Sequence, residues 1–193
     1  MKNACLFDEG KRTRPELRAL GRSLRKQAPR SSHAPWKPDP QRPDPVDILR
    51  SQEAGRVEEL LPIRYGRMAA SPFACFRGAA AVMAWDLAHT PAAGINVQAC
   101  GDAHVDNFGA YASPERRLVF DINDFDETLP APWEYDVKRM AVSVLLAARD
   151  QQWGDKAGVD AVRIAVHRYC TTLHRLAKMT TLDIHYAHAE SSQ

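Results

Sequence analysis

At 193 residues with 45% hydrophobic and 26% charged residues, the chain has the composition of an ordinary globular protein with one core. A formal charge of +2 is too small to imply nucleic acid as a partner. No apolar run approaches the roughly 20 residues that span a bilayer, and Met1-Lys2-Asn3 does not open a secretory signal, so a cytoplasmic location away from membranes is expected.

The charge is unevenly spread: Lys and Arg outnumber Asp and Glu up to about Arg50, and acids prevail afterwards. Between Lys11 and Asp47 the basic residues alternate with Pro29, Pro35, Pro38, Pro40, Pro43 and Pro45, which oppose regular structure and leave little to bury. Residues 1–50 are therefore read as a basic, Pro-rich, disordered arm, and residues 51–193 as the folded region. Ser71-Pro72 predicts a helix start running to about His89, with Phe73, Phe76, Ala80, Met83, Ala84 and Leu87 on its core face. Ile95 to Ala99 reads as a strand. Phe108–Tyr111 and Leu118–Ile122 read as a hairpin turning at Ser113-Pro114-Glu115-Arg116. Two amphipathic helices follow, Glu134 to Gln151 with Val137, Met140, Ala141, Val144, Leu145 and Ala148 inward, and about Lys156 to Met179. Cys5, Cys75, Cys100 and Cys170 lie far apart with no Cys-x-x-Cys pair, and are read as reduced thiols.

The chemistry concentrates in two stretches, Gly101-Asp102-Ala103-His104-Val105-Asp106-Asn107-Phe108-Gly109 and Phe120-Asp121-Ile122-Asn123-Asp124-Phe125-Asp126-Glu127. Six acids, two asparagines and a histidine so close together repel unless a proton or a cation is shared, and a divalent metal is the simplest cation. Asp102 and Asn107 have the D-x-x-x-x-N spacing of the kinase catalytic loop, in which the Asp takes the proton of the attacking hydroxyl and the Asn holds magnesium. The hairpin that follows delivers a further acid where kinase-like enzymes place the Asp that binds magnesium between nucleotide phosphates. Asp124 is the preferred ligand and Asp121 a near-equal one. With Asp126, three acids at near-alternate positions would serve one or two magnesium ions.

Gly101-Asp102-x-His104-x-x-Asn107 resembles the catalytic loop of the aminoglycoside and choline phosphotransferases, except that Cys100 stands where those loops usually carry a His. Arg64-Tyr65-Gly66-Arg67-Met68, Ser71-Pro72-Phe73, Phe76-Arg77-Gly78, Gly101-Asp102-Ala103-His104, Asn107-Phe108-Gly109, Asn123-Asp124-Phe125-Asp126-Glu127 and Trp133-Glu134-Tyr135-Asp136-Val137-Lys138-Arg139 together resemble the bacterial DUF2252 family from about Pro62 to Tyr186. That resemblance implies an α+β, protein-kinase-like catalytic half. It implies Mg2+ and ATP, with Asp102 as the catalytic residue, Asn107 with Asp124 or Asp121 as metal ligands, and a small-molecule or protein hydroxyl as acceptor. It also implies a longer protein, in which a glycine-rich segment and a Lys-bearing strand follow the helices that end this chain. A truncated member is thus expected, and this sequence has no G-x-G-x-x-G loop.

Plainer roles stand beside these. Asp102 and Asn107 are residue types that tie down loops. His104, with no second His at metal-site spacing, is read as a strut of the loop. Arg64, Arg67 and Arg77 suit either bidentate phosphate binding or structural ion pairs. Asp136 and Arg139, opening a helix, are read as structural, and Trp85, Trp133 and Trp153 as packing. Two further functions stay open: a metal-dependent phosphoesterase or nuclease centred on Asp102, His104, Asp106 and the downstream acids, and an inactive fragment or pseudoenzyme that only binds.

Overall fold

Short polar capping motifs and prolines divide the chain into many small elements, and the computed structural model describes them over residues 12–187 and 189–190. Among these residues the fold is mixed α+β, with eight α-helices and two small antiparallel sheets. The helices are α1 (Arg14–Gln27), α2 (Pro45–Arg50), α3 (Leu61–Met68), α4 (Pro72–Gly78), α5 (Ala80–Ala88), α6 (Glu134–Asp150), α7 (Asp155–Leu176) and α8 (Thr181–His185). The strands are β1 (Asn96–Ala99), β2 (Phe108–Ala112), β3 (Leu118–Ile122), β4 (Leu129–Pro132) and β5 (Ala189–Glu190).

The segment expected to be a structureless arm contains α1 and α2. Thr13 and Glu16 close a capping box at the start of α1, which buries no residue but is tied to the end of α7 by Arg14, whose guanidinium donates to the Met179 carbonyl at 2.8 Å. Arg42 makes a two-pronged ion pair with Asp86 of α5. Local capping and a few long-reaching arginines thus order a sequence whose proline content argues against order. Residues 1–11 lie outside the described part.

The single helix expected from Ser71 to His89 is two. Ser71 caps α4 as expected, its Oγ accepting the Ala74 N–H at 3.1 Å. The break falls at Ala79 (φ −123°, ψ 40°), where carbonyls that a continuous helix would use internally are taken by arginines. Arg139 donates to the Phe76 carbonyl at 3.0 Å and Arg64 to that of Gly78 at 2.7 Å. The Met68 side chain fills the space a Cβ on Gly78 would need, 2.7 Å from its nearest atom. The break redirects α5, so Leu87 is buried while Ala84, expected in the core, is exposed at a cavity wall.

The hairpin is as expected: β2 and β3 pair antiparallel from Phe108↔Ile122 to Ala112↔Leu118, and the Asn123 N–H donating to the Asn107 carbonyl extends the ladder by one step. β4 was not expected, because Pro130 and Pro132 argue against a strand; it survives in a two-stranded ladder with β1, where each proline's missing N–H faces an edge. The long helices α6 and α7 match their expected ranges within a few residues and pack as an antiparallel pair. Gly158 makes that approach possible: a Cβ there would lie 2.9 Å from Leu145 Cδ1 and 3.3 Å from Ala148 Cβ.

Gly158→Leu is therefore expected to lower unfolding free energy by about 1–3 kcal/mol through overpacking. Gly21→Ala on exposed α1, where a Cβ meets nothing within 4 Å, is expected to be neutral to stabilising by up to about 1 kcal/mol. Urea unfolding of the two variants checks the contrast.

Candidate functional site

The deepest face of α6 is polar. Glu134, Arg139 and Ser143 are 3%, 1% and 0% exposed, whereas the apolar positions assigned inward from the sequence are, apart from Ala148, only half-buried. Asp136, Arg139 and Ser143 stand at steps of three and four, on one helical face, and each grips the loop between β1 and β2. Asp136 accepts the backbone N–H groups of Cys100 at 2.8 Å and Gly101 at 3.1 Å. Arg139 donates Nε and Nη2 to Asp102 Oδ1. Ser143 Oγ accepts the Val105 N–H at 3.1 Å. Nearby, Glu134 Oε1 accepts the Ala93 N–H at 2.7 Å. The structural role expected of Asp136 and Arg139 is thus the one they perform, but the sequence reading missed that Arg139 is the direct partner of Asp102. The signal was available in the D-x-x-R-x-x-x-S spacing.

Arg139 is held on every side. Its guanidinium lies over the Phe76 ring, 4.3 Å from the centroid, and donates to the Phe76 carbonyl and the Met83 sulfur. Its partner Asp102 is buried and lines the cavity described below, and its Oδ2, the oxygen that Arg139 does not take, lies 3.6 Å from His104 Nε2. Burial pushes the His104 imidazole below its ordinary range, against the upward pull of Asp102, and His104 Nδ1 is buried without a hydrogen-bond partner.

Asn107 is buried beneath the loop. Its Nδ2 donates to the carbonyls of Asp102 and Asp124, both at 3.2 Å, and contacts the Cys100 sulfur at 3.8 Å. Two carbonyl acceptors fix the orientation of the amide, because only the nitrogen can face them. Asn107 therefore couples the loop carrying Asp102 to the segment carrying Asp124. The two segments also touch at Gly101, whose φ of +83° and 2.1 Å approach of a would-be Cβ to the Glu127 carbonyl exclude any other residue. Burial raises the Cys100 thiol, in keeping with a reduced, unreactive cysteine.

These contacts assemble one end of a cavity of about 870 Å³, lined there by Gly101, Asp102, His104, Asp124 and Glu127. Burial first, then the charges of Asp102 and Asp124, raise the Glu127 carboxyl. The other expected acids are placed elsewhere. Asp121 stays in β3 opposite Gly109, with Oδ1 accepting the Ile122 N–H, and Asp126 donates its N–H to Asp124 Oδ1; neither lines the cavity. Asp106 pairs with Arg77 at 2.9 Å. Three acids converging on a pair of metal ions is not the arrangement found: among the described residues no group of three His, Cys, Asp or Glu side chains is gathered for a metal. Arg64, Arg67 and Arg77 line the same cavity, and the Arg77 charge acts on His104.

Fold and site together define a mixed α+β protein whose loop acid, locked by a buried arginine, opens on a cavity shared with a second acid that follows a β-hairpin. Residues 56–193 match the family described as "Uncharacterized protein conserved in bacteria (DUF2252)", and the chain belongs to that family. No curated protein and no solved structure matches it.

Removing Arg139 strands a buried carboxylate. Arg139→Met is expected to cost about 3–5 kcal/mol, and the double variant with Asp102→Leu to recover a large part of that loss; chemical denaturation of the cycle measures both. His104 sets a pH dependence. Its folded-state pKa is depressed, so the folded protein binds fewer protons, and stability present above the unfolded value of about 6.5 is lost as pH falls below it. Melting temperature is expected to drop between about pH 6.5 and 5, with a shallower drop in His104→Gln.

Proposed function

We propose that this protein is a Mg2+-dependent, kinase-like phosphotransferase that moves a phosphoryl group from a nucleoside triphosphate to a hydroxyl acceptor. The observation that carries the reading is the order of parts: a loop acid and, immediately after an antiparallel hairpin, a second acid, both lining one cavity, with an Asn five residues after the first whose amide joins the two acid-bearing segments. Asp102, with Oδ1 held by Arg139, presents Oδ2 to the cavity as the acceptor that orients the attacking hydroxyl. Magnesium asks for only one or two carboxylates beside phosphate oxygens and water, and the donor set present meets that requirement. Asp124 would supply the carboxylate. Asn107 would supply Oδ1, its nitrogen being spent on the two carbonyls, and Glu127 stands as a further acid on the same wall. Bound there, the ion would neutralise charge on the transferred group.

A binding protein that keeps this scaffold without its chemistry is the second reading, favoured by the Asp102–Arg139 pair, which leaves only one carboxylate oxygen for a substrate. The phosphoesterase alternative gains nothing from the geometry, since Asp106 is turned into an ion pair with Arg77. No described helix is long and apolar enough to cross a membrane.

Calorimetric titration with a non-hydrolysable ATP analogue separates the readings. Binding that requires magnesium, disappears in Asp124→Ala and persists in Asp102→Asn is expected for a phosphotransferase, with turnover of any accepted substrate falling at least about a hundredfold in Asp102→Asn. Nucleotide binding indifferent to magnesium and to Asp124 would overturn it.

A further inference from the structure

The cavity also carries a wall of arginines, three of the four with no carboxylate partner among the described residues. Arg56, Arg64, Arg67 and Arg77 all line it. Arg64 and Arg67 stand three residues apart on α3 and so share a face. Among the described residues only Arg77 of the four has a carboxylate partner, Asp106, and that pair is nearly half exposed. Arg56 donates Nε to the Gln52 carbonyl, a neutral acceptor in its own turn.

Arg64 is the telling residue. Its Nη2 is anchored to the Gly78 carbonyl at 2.7 Å, and its guanidinium lies 5.6 Å from the Tyr65 ring centroid, which positions the plane. Its Nη1 is buried with no hydrogen-bond partner. Leaving a charged donor buried and unpaired is costly, and proteins tolerate it chiefly where a ligand or ion completes the bond. An anchored guanidinium with a spare N–H, one helical turn from a second unpaired guanidinium, is the donor set that grips a tetrahedral oxyanion in two-pronged fashion.

We propose that this arginine wall, centred on Arg64 and Arg67, is a recognition site for a phosphate group, so that the cavity takes an anionic, phosphate-bearing compound and disfavours a polycationic one. The identification of the anion as phosphate rests on the phosphoryl-transfer reading; the presence of an oxyanion site does not. The acids and the arginines divide the cavity by charge: the acid end holds a cation, and the basic wall holds the oxyanion. The phosphate belongs either to the nucleotide or to a phosphorylated hydroxy compound that accepts the transferred group, and the chemistry of the wall is the same for both.

The test is titration of the full chain with inorganic phosphate in EDTA, without nucleotide, against sodium chloride at matched ionic strength, followed by 31P line broadening. Saturable binding is expected, weakened at least tenfold in Arg64→Gln and in Arg67→Gln and unchanged in Arg163→Gln, an exposed arginine of α7 that does not line the cavity. Arg67 is exposed and its side chain has no hydrogen bond or ion pair among the described residues, so Arg67→Gln stays informative even where Arg64→Gln disturbs the helix break. Displacement by the metal-free ATP analogue assigns the wall to the nucleotide, and displacement by a hexose monophosphate alone assigns it to the acceptor; each supports the site. Absence of saturable phosphate binding in the wild-type chain, or binding indifferent to both arginine substitutions, overturns it. Because the assay has no metal and no nucleotide, its failure is distinct from a failure of magnesium-dependent nucleotide binding.

Discussion

The ion pair between Asp102 and Arg139 is the contact around which the rest of this molecule is arranged. A buried Asp–Arg pair gives little net stability compared with apolar residues of the same size, because desolvation offsets most of the attraction, yet losing one partner is severe. Its consequence is positional. Arg139 is 1% exposed and braced by the Phe76 ring and carbonyl, so Asp102 can sit in only one place. Asp136 and Ser143, on either side of Arg139 along α6, hold the same loop by its backbone N–H groups, and the loop is thereby fastened to a rigid 17-residue helix at three heights. A reactive group carried on a loop but held by a helix combines access to solvent with defined geometry.

The break between α4 and α5 follows from the same requirement. Arg139 takes the Phe76 carbonyl, which also accepts the Ala79 N–H, and Arg64 takes that of Gly78, so both arginines brace the break. One break thus serves two arginines of the site: it braces the one that holds Asp102, and it anchors Arg64 of the cavity lining. Asn107 does the corresponding work on the other side, linking the Asp102 loop to the segment after the hairpin through two backbone carbonyls.

How much of this the sequence discloses depends on whether the determining contacts are local. The Ser71 cap, the β2–β3 hairpin and the two long helices rest on short-range propensity and periodicity and are readable. The helix break is not, because long-range donors Arg64 and Arg139 cause it in a stretch whose periodicity is continuous. β4 is hidden by Pro130 and Pro132, and α1 by the basic composition around it. Within the site, spacing picks out Asp102 and Asp124, which line the cavity, and Asn107, which is buried under the loop, whereas Asp121, in the paired part of β3, and Asp126 do not line it. Arg139 was passed over because an arginine inside an amphipathic helix normally marks its solvent face, whereas here the polar stripe is the buried one. Counting Asp136, Arg139 and Ser143 on one face would have revealed it.

The most direct test of the account asks where a divalent ion sits when nucleotide is present. Mn2+ added to the 15N-labelled protein with a non-hydrolysable ATP analogue should broaden the backbone amides of the loop around Asp102 to Asn107 and of the segment around Asp124 to Glu127, while the amides of α7 stay sharp. Broadening centred instead on the exposed acids Asp155 and Asp160, or none above that of free Mn2+, would contradict the view that the Arg139-locked loop and the segment after the hairpin form one metal-dependent site.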